Sequence, residues 1–384
     1  MRYVVVAVLG MIWPGAALAQ PVVSLSSKAE SGWTSNASES VGGAPDFYLR
    51  HSHDLSVTTL TGPLALRGSL QVEQQVFRLH QGENDLSLAG GVEAGLALTD
   101  GLSLRLGYAQ TREWNGDMVD LGPLVVSLET PVVEHEILGE IAVEDAGRRV
   151  VLGVDVSRRQ PGPTTFAGLP LPPLRLEAEM LQVRARADGE WVVTPEMAGL
   201  TRLHWTTTRI SEDDRTAFGR EPAGLAELAA GLRLRQGALA TEAWIGVDLV
   251  WPEAAPHLLH RLPFFEASAE LAASDRLMLE ARGFAGVELA DPVDGVASRV
   301  LEAELGGRLA LAERASLTMG LAWRREQGLY DESSTSTRRS LRAGITMPLA
   351  AGLEAGLTAS HAEIAEPGGA YRVSTIGLTL NGKV

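Results

Sequence analysis

Between Val300 and Glu326 the chain reads VLEAELGGRLALAERASLTMGLAWRRE. Leu301, Ala303 and Leu305 alternate with Glu302 and Glu304. After the turn-like Ala312-Glu313-Arg314-Ala315, the alternation resumes at Leu317, Met319, Leu321 and Trp323. A period of two describes a β-strand with one apolar and one charged face, so this stretch predicts a hairpin with one greasy side. The same pattern recurs along the chain. Leu64, Leu66, Leu70 and Val72 alternate with Arg67, Gln71 and Glu73; Ile137, Ile141 and Val143 oppose Glu136 and Glu140. Leu277, Leu279, Ala281, Ala285 and Val287 alternate with Glu280, Arg282 and Glu288, and Leu341, Ala343, Ile345 and Met347 oppose Arg338, Ser340 and Arg342. Leu174 and Leu176 alternate with Arg175, Glu177 and Glu179; the polar set then slips by one residue to Gln182, Arg184 and Arg186, which predicts a β-bulge.

Compact polar turns separate these strands at Thr61-Gly62, Thr99-Asp100-Gly101, Glu144–Gly147, Ala187-Asp188-Gly189, Gln236-Gly237, Ser274-Asp275, Glu313-Arg314 and Ala350–Gly352. Longer Gly-, Pro- and acid-rich connections lie between them, among them Asn36–Pro45, Asn115–Gly122, Gln160–Pro173, Ser211–Pro222 and Pro252–Arg261. About eight tight turns and nine long loops give about eighteen strands, with both termini at the tight-turn end; sixteen is the alternative if the segments near Ser127 or Val373 do not pair. The expected fold is all-β: one antiparallel transmembrane up-and-down barrel with short periplasmic turns and longer extracellular loops. A soluble β-sandwich is the competing architecture. Its strands would be shorter, and it would not account for the loop asymmetry.

The N-terminus, MRYVVVAVLGMIWPGAALAQ, has Arg2, an apolar run from Val4 to Trp13 and small residues at Ala17 and Ala19. This predicts a secretory signal over 1–19 and a single barrel domain over 20–384. The chain has no cysteine, so neither a lipid anchor at the cut nor disulfides are expected. A net charge of -15 over 384 residues argues against a nucleic-acid partner.

On a lipid-facing barrel surface an arginine at the bilayer midplane costs about 2–4 kcal/mol, so the charged rows are assigned to the lumen. The expected lumen-lining residues are Arg67, Glu73, Arg105, Arg175, Glu177, Glu179, Arg184, Arg186, Arg202, Arg233, Arg282, Glu302, Glu304, Arg308, Arg324, Arg338 and Arg342. Trp33, Trp114, Trp205, Trp251 and Trp323 sit near strand ends adjoining long loops, where an interfacial aromatic girdle is expected. The expected partners are outer-membrane lipid, lipopolysaccharide and the barrel-assembly machinery of a Gram-negative cell.

Four stretches also resemble a known family: Gly32-Trp33-Thr34-Ser35-Asn36, Asp46-Phe47-Tyr48-Leu49-Arg50, Pro263-Phe264-Phe265-Glu266-Ala267-Ser268-Ala269, and the hairpin from Val300. Together they are similar to the proteobacterial outer-membrane barrels grouped as β-barrel porins of type 2. The resemblance implies a barrel without enzymatic activity. Through related barrels it implies a role beside exopolysaccharide assembly, with a periplasmic polysaccharide exporter as partner. One departure is the chain end: outer-membrane barrels usually close on an aromatic residue, whereas this sequence finishes at Val384.

No catalytic set, cofactor motif or metal site stands out. Glu134, Glu136 and Glu140 read as wall residues rather than a catalytic pair, and His51 and His53 fall on the apolar face. His257 and His260 lack further ligands, and His204 reads as a lumen residue. Gln160–Pro173 is the candidate constriction, the alternative being an ordinary extracellular loop. Three functions fit: a porin-like channel for hydrophilic solutes, a conduit for exopolysaccharide export, and a non-conducting barrel that displays its loops.

Overall fold

The structure, a computed structural model, describes residues 21–120, 125–167, 169–289, 296–312, 315–331 and 333–384. The signal expected over 1–19 lies outside these residues. The strands are β1 (Val22–Thr34), β2 (Asp46–Thr61), β3 (Leu64–Phe77), β4 (Asp85–Thr99), β5 (Leu102–Asp120), β6 (Val125–Asp145), β7 (Arg148–Pro161) and the short β8 (Thr165–Ala167). They continue as β9 (Met180–Thr194), β10 (Met197–Arg209), β11 (Ala223–Gln236), β12 (Leu239–Pro252), β13 (His260–Ser274) and β14 (Leu277–Leu289). The last five are β15 (Ala297–Ala312), β16 (Ala315–Gly328), β17 (Thr335–Ala350), β18 (Leu353–Glu366) and β19 (Gly369–Lys383).

Each long strand pairs antiparallel with its neighbours in the chain, β7 pairs with β9, and β19 returns to β1 through Ser26↔Lys383 to Thr34↔Thr375. Eighteen strands therefore close into one barrel, with β8 outside the ring. Ser127 pairs with Met118 and Val373 with Ala362, so the sixteen-strand alternative is excluded.

Residues directly opposite one another share a face. One inner row runs Arg67, Glu93, Gly107, Leu138, Asp155, Arg184; the next runs Glu280, Gly306, Gly320, Arg342, Ser360. The alternate residues form an exposed outer belt that includes Leu106, Ile137, Leu203, Leu228, Ile245, Leu305, Leu321 and Leu378. Most tight turns are two residues long, and Ala146-Gly147 shows why they suit a hairpin: both residues have positive φ, 39° and 87°. That geometry matches the right-handed twist of the flanking strands.

Several boundaries differ from those the sequence predicts. Ala187-Asp188-Gly189 is not a turn; it lies inside β9, paired with Leu203, Arg202 and Thr201. The chain reverses instead at Pro195-Glu196. Gly189 meets a different need, because a Cβ there would come within 2.6 Å of Thr201 Oγ1. Asn115–Asp120, loop-like in composition, continues β5 and pairs through Asp120↔Val125. Its Gly116 N–H also donates to Asp85 Oδ1 at 3.0 Å. The β18–β19 connection is only two residues, Pro367-Gly368, so the long loops are fewer than nine.

Leu174–Glu179 is not a strand and holds no bulge. Pro170, Pro172 and Pro173 supply no N–H, Leu174 makes only an isolated bridge to Thr164, and β9 begins at Met180 opposite Arg159. Arg175, Glu177 and Glu179 are thus loop residues rather than wall residues. Nor does Gln160–Pro173 cross the lumen. Gly162 N–H donates to Pro131 O at 2.7 Å, Thr164 and Thr130 share a hydroxyl contact at 2.8 Å, and β8 adds to the edge of β6 that β7 leaves free. The segment builds the wall upward.

The two turn assignments make opposite predictions for insertions. A six-residue protease site placed between Pro195 and Glu196 should leave a folded, heat-modifiable barrel that is cleaved there. The same insert between Asp188 and Gly189 should prevent folding, as read by electrophoretic mobility of unheated samples.

Candidate functional site

The candidate site is the inner wall. Side chains converge on a concave surface and diverge on a convex one, so ion pairs that skip a strand identify the inside. Arg186 on β9 reaches Glu140 on β6 at 2.6 Å, Arg233 on β11 reaches Glu190 on β9 at 2.8 Å, and Arg324 on β16 reaches Glu288 on β14 at 2.7 Å. Arg202 on β10 reaches Glu266 on β13, two strands beyond its neighbour, at 2.7 Å. Parity then places Arg67, Glu73, Arg105, Arg184, Arg186, Arg202, Arg233, Arg282, Glu302, Glu304, Arg308, Arg324, Arg338 and Arg342 on this inner face.

These residues divide into two groups. Arg105 is held by Glu93 at 2.7 Å, Arg233 also by Glu242 at 2.8 Å, and Arg324 also by Glu302 at 3.0 Å and by Glu326. His204 contacts Asp188 Oδ1 at 2.9 Å, on the inner face expected for it. By contrast, Arg67, Arg184, Arg282, Arg308, Arg338 and Arg342 form no ion pair among the described residues. Open recesses adjoin several of them. One of about 660 Å³ runs over β3 to β9 between Arg67 and Arg184, past Ser69, Ala109, Glu136 and Ser157.

The wall of β10 to β14 is different. Leu200, Ala229, Trp244 and Phe264 pack together with Phe284 on the inner face, and the Arg202 guanidinium lies 4.3 Å above the Trp244 ring. Trp244 is 6% exposed and Phe264 3%, so this cluster is a small core under a cation rather than an open stacking surface for a solute. The sequence reading passed over it. The signal was there: Trp244 shares the parity of Glu242 and Asp248, which marks an aromatic on a charged face.

Above this core the barrel departs from a simple cylinder. β13 pairs with β14 only from Phe265↔Ala285 downward, while β12 pairs with β13 up to His260. The freed top of β14 leans across: Val287 N–H donates to Asp248 Oδ2 of β12 at 3.0 Å. Val287 and Ala297 pack on Val250 and Ala223, with Leu262 and Tyr330 against them. The observed inward element is therefore the β14–β15 end, not Gln160–Pro173; its tip, 290–295, lies outside the described residues.

The loop end carries a second set of fixed contacts. Helix α1 (Glu212–Phe218) starts at Ser211, whose hydroxyl accepts from Asp214 N–H at 3.1 Å, and stops at Gly219 with φ 63°. Buried Asp214 accepts from Arg175 and from Glu179 N–H at 2.8 Å, while Glu179 and Glu177 pair with Arg158 and Arg159. The three acid–arginine residues misplaced by the sequence reading thus clamp a loop to a helix. Trp33, Trp114, Trp205, Trp251 and Trp323 all have outward parity, opposite Phe47, Pro131, Ala226, Gly224 and Ala303 respectively. His51 and His53 also face outward, with ring centroids 5.7 Å apart. Among the described residues no three His, Asp or Glu side chains are placed to hold a metal ion.

No protein-family model matches the chain, and no curated protein matches it either, so the resemblance to type-2 porins receives no support of that kind. Solved structures do share its shape. The copper transporter OprC matches 96% of this chain and 81% of its own, at 9% identity and a TM-score of 0.55. Pseudomonas aeruginosa OccK9 (OpdG) matches 95% of this chain and 98% of its own, at 11% identity and 0.53. The P. aeruginosa ferric enterobactin receptor PfeA matches 96% and 81%, at 8% and 0.52. At such identities the likeness establishes the fold, a closed antiparallel β-barrel of the kind these proteins form.

Two outcomes follow from these contacts. Replacing Arg202 with Met leaves Glu227 and Glu266 facing each other and should cost about 2 kcal/mol, the range of hydrogen bonds to charged groups. Adding Glu266→Gln should recover part of the loss, as read by urea unfolding in lipid vesicles. At the loop end, burial of Glu83 and the nearby Asp117 carboxylate push the Glu83 carboxyl up to about 7. Its folded-state pKa exceeds the ordinary 4.5, so stability is fully present below pH 4.5 and falls as pH rises through 7. Hydrogen exchange in the short 3-10 turn Gln81–Glu83 should therefore be faster at pH 8 than at pH 5 after correction for intrinsic rates, and Glu83→Gln should remove the difference.

Proposed function

We propose that this protein is an outer-membrane channel for small hydrophilic solutes. The observation that carries the reading is the division of faces: a continuous exposed apolar belt outside and a charged, partly unpaired wall inside. A belt of that kind is stable against hydrocarbon, where a closed barrel leaves no strand edge unsatisfied. The outward tryptophans near the loop end suit the lipid interface, and lipopolysaccharide and the assembly machinery are the partners such a barrel meets. An eighteen-strand ring is wide enough to enclose water. The neighbours described as a transporter and a receptor are compatible with this role.

The leaning β14–β15 end and the core beneath it favour a second reading, a barrel whose lumen is closed and whose loops are its working surface. Export of a polysaccharide rests on the family resemblance alone.

Planar-bilayer recording of the detergent-folded protein separates the two main readings. Stable openings support the channel, and silence from demonstrably folded protein removes it. The membrane placement has its own test. Leu305→Arg on the outer belt should lower folding stability in vesicles by about 2–4 kcal/mol. Ser69→Arg on the inner row should change it by about 0.5 kcal/mol or less.

A further inference from the structure

The inner face of β14 to β17 holds a groove of about 350 Å³, at the small end of the roughly 300–1,000 Å³ typical of small-molecule sites. Its floor is Gly306 and Gly320, directly paired across β15 and β16. Packing does not demand glycine at either position. A Cβ on Gly306 would meet nothing closer than Glu280 Cβ at 3.7 Å, and one on Gly320 nothing closer than Leu305 O at 3.8 Å. Both have ordinary backbone φ, since neither is among the positive-φ glycines. Glycine inside a strand costs about 0.5–1 kcal/mol relative to alanine. What it provides here is depth, and a strand glycine often marks close approach of a ligand to the backbone.

The row across this floor ends in opposite charges, with further charges of both signs in the rows beside it. Glu280 stands on β14 and Arg342 on β17, the two ends of the row Glu280, Gly306, Gly320, Arg342. Their Cα atoms lie three strand spacings apart, about 14 Å along the wall. Arg282 and Glu304 face each other one step along, and Arg308 one step the other way. Among the described residues none of these five side chains makes an ion pair or a side-chain hydrogen bond, whereas Arg324 on the same wall is held by three carboxylates. Among the described residues no aromatic ring lines the groove, so the usual platform for a sugar ring is not among its lining. We infer that the groove binds a zwitterion of amino-acid to dipeptide size, its ammonium on the Glu280 side and its carboxylate on the Arg342 side. The planar guanidinium fork suits a carboxylate, and opposite charges at the two ends of the row favour a solute that carries both over one with a single charge or none. The inference deepens the channel reading by naming a solute class, but binding itself does not require that the lumen conduct.

The test is calorimetric titration of the detergent-folded full chain with glycylglycine. N-acetylglycylglycine, an anion, and its amide, which is neutral, serve as size-matched controls. Glycylglycine should bind about tenfold or more tighter than either, the scale of one charge-assisted contact. Glu280→Gln should abolish its advantage over the anion, and Arg342→Gln should reduce its advantage over the neutral amide to the share that the ammonium contact contributes. Gly320→Val, which fills the floor, should weaken it in a protein whose unheated mobility shows an intact barrel. Equal binding of all three probes, or equal binding of the anion and the zwitterion, overturns the inference. Bilayer recordings on the same preparation keep the two readings apart: a silent barrel that binds glycylglycine loses only the channel, and a conducting barrel that does not bind it loses only this site.

Discussion

The structure depends on the last strand meeting the first. Ser26–Thr34 accept the hydrogen-bonding edge of Thr375–Lys383, and with that ladder made the described long strands leave no full edge for another chain to join. Closure also removes any freedom in side-chain direction. A strand in a ring has one face toward the axis and one away, and a slip of a single residue would exchange them along its whole length. The strict alternation of leucine with glutamate or arginine is the chemical record of that constraint. It makes eighteen strands hold one register without a disulfide or a conventional core.

Within the ring the inner surface is not uniform. Between β9 and β13, Arg186, Arg202 and Arg233 are each held by carboxylates, and Arg202 seals a cluster of Trp244, Phe264, Ala229 and Leu200. From β3 to β7 and from β15 to β18 the inner rows carry more glycine, alanine, serine and threonine, and beside the held Arg105 and Arg324 stand Arg67, Arg308, Arg338 and Arg342 with no ion pair among the described residues. The cluster under Arg202 resembles a protein interior turned sideways, with its charge offset by Glu227 and Glu266. The other arcs leave more of their arginines without a carboxylate partner among the described residues.

How much of this could be read beforehand follows from the range of each interaction. The face of a residue such as Arg308 or Leu305 depends only on its immediate neighbours in the chain, so period two shows it. Strand number followed from turn composition, because Asp-Gly and Ala-Gly reversals are local. Reading failed where composition and pairing disagreed. Asp188-Gly189 has turn chemistry but is held in the wall by Arg202 and Thr201 on β10. Leu174–Glu179 alternates like a strand yet finds no partner edge, since the prolines before it break the approach. The lean of β14 onto Asp248 was hidden for the same reason: the two are 39 residues apart, and the contact arises because β13 stops pairing early on one side. Membership of the site, as opposed to its face, is a property of which arginines find carboxylates across a skipped strand, and no local pattern encodes that.

The small core beneath Arg202 has a geometric consequence. By thickening one sector of the wall it displaces the free cross-section away from the barrel axis, toward the glycine- and serine-lined arcs. A solute beside such a wall would have more room against the glycine- and serine-lined arcs than against this sector. The charges there differ in kind as well, because Arg202 is held by its carboxylates while Arg308, Arg338 and Arg342 have no ion pair among the described residues. Orientation of a dipolar solute would then come from the shape of the wall as much as from any single residue upon it.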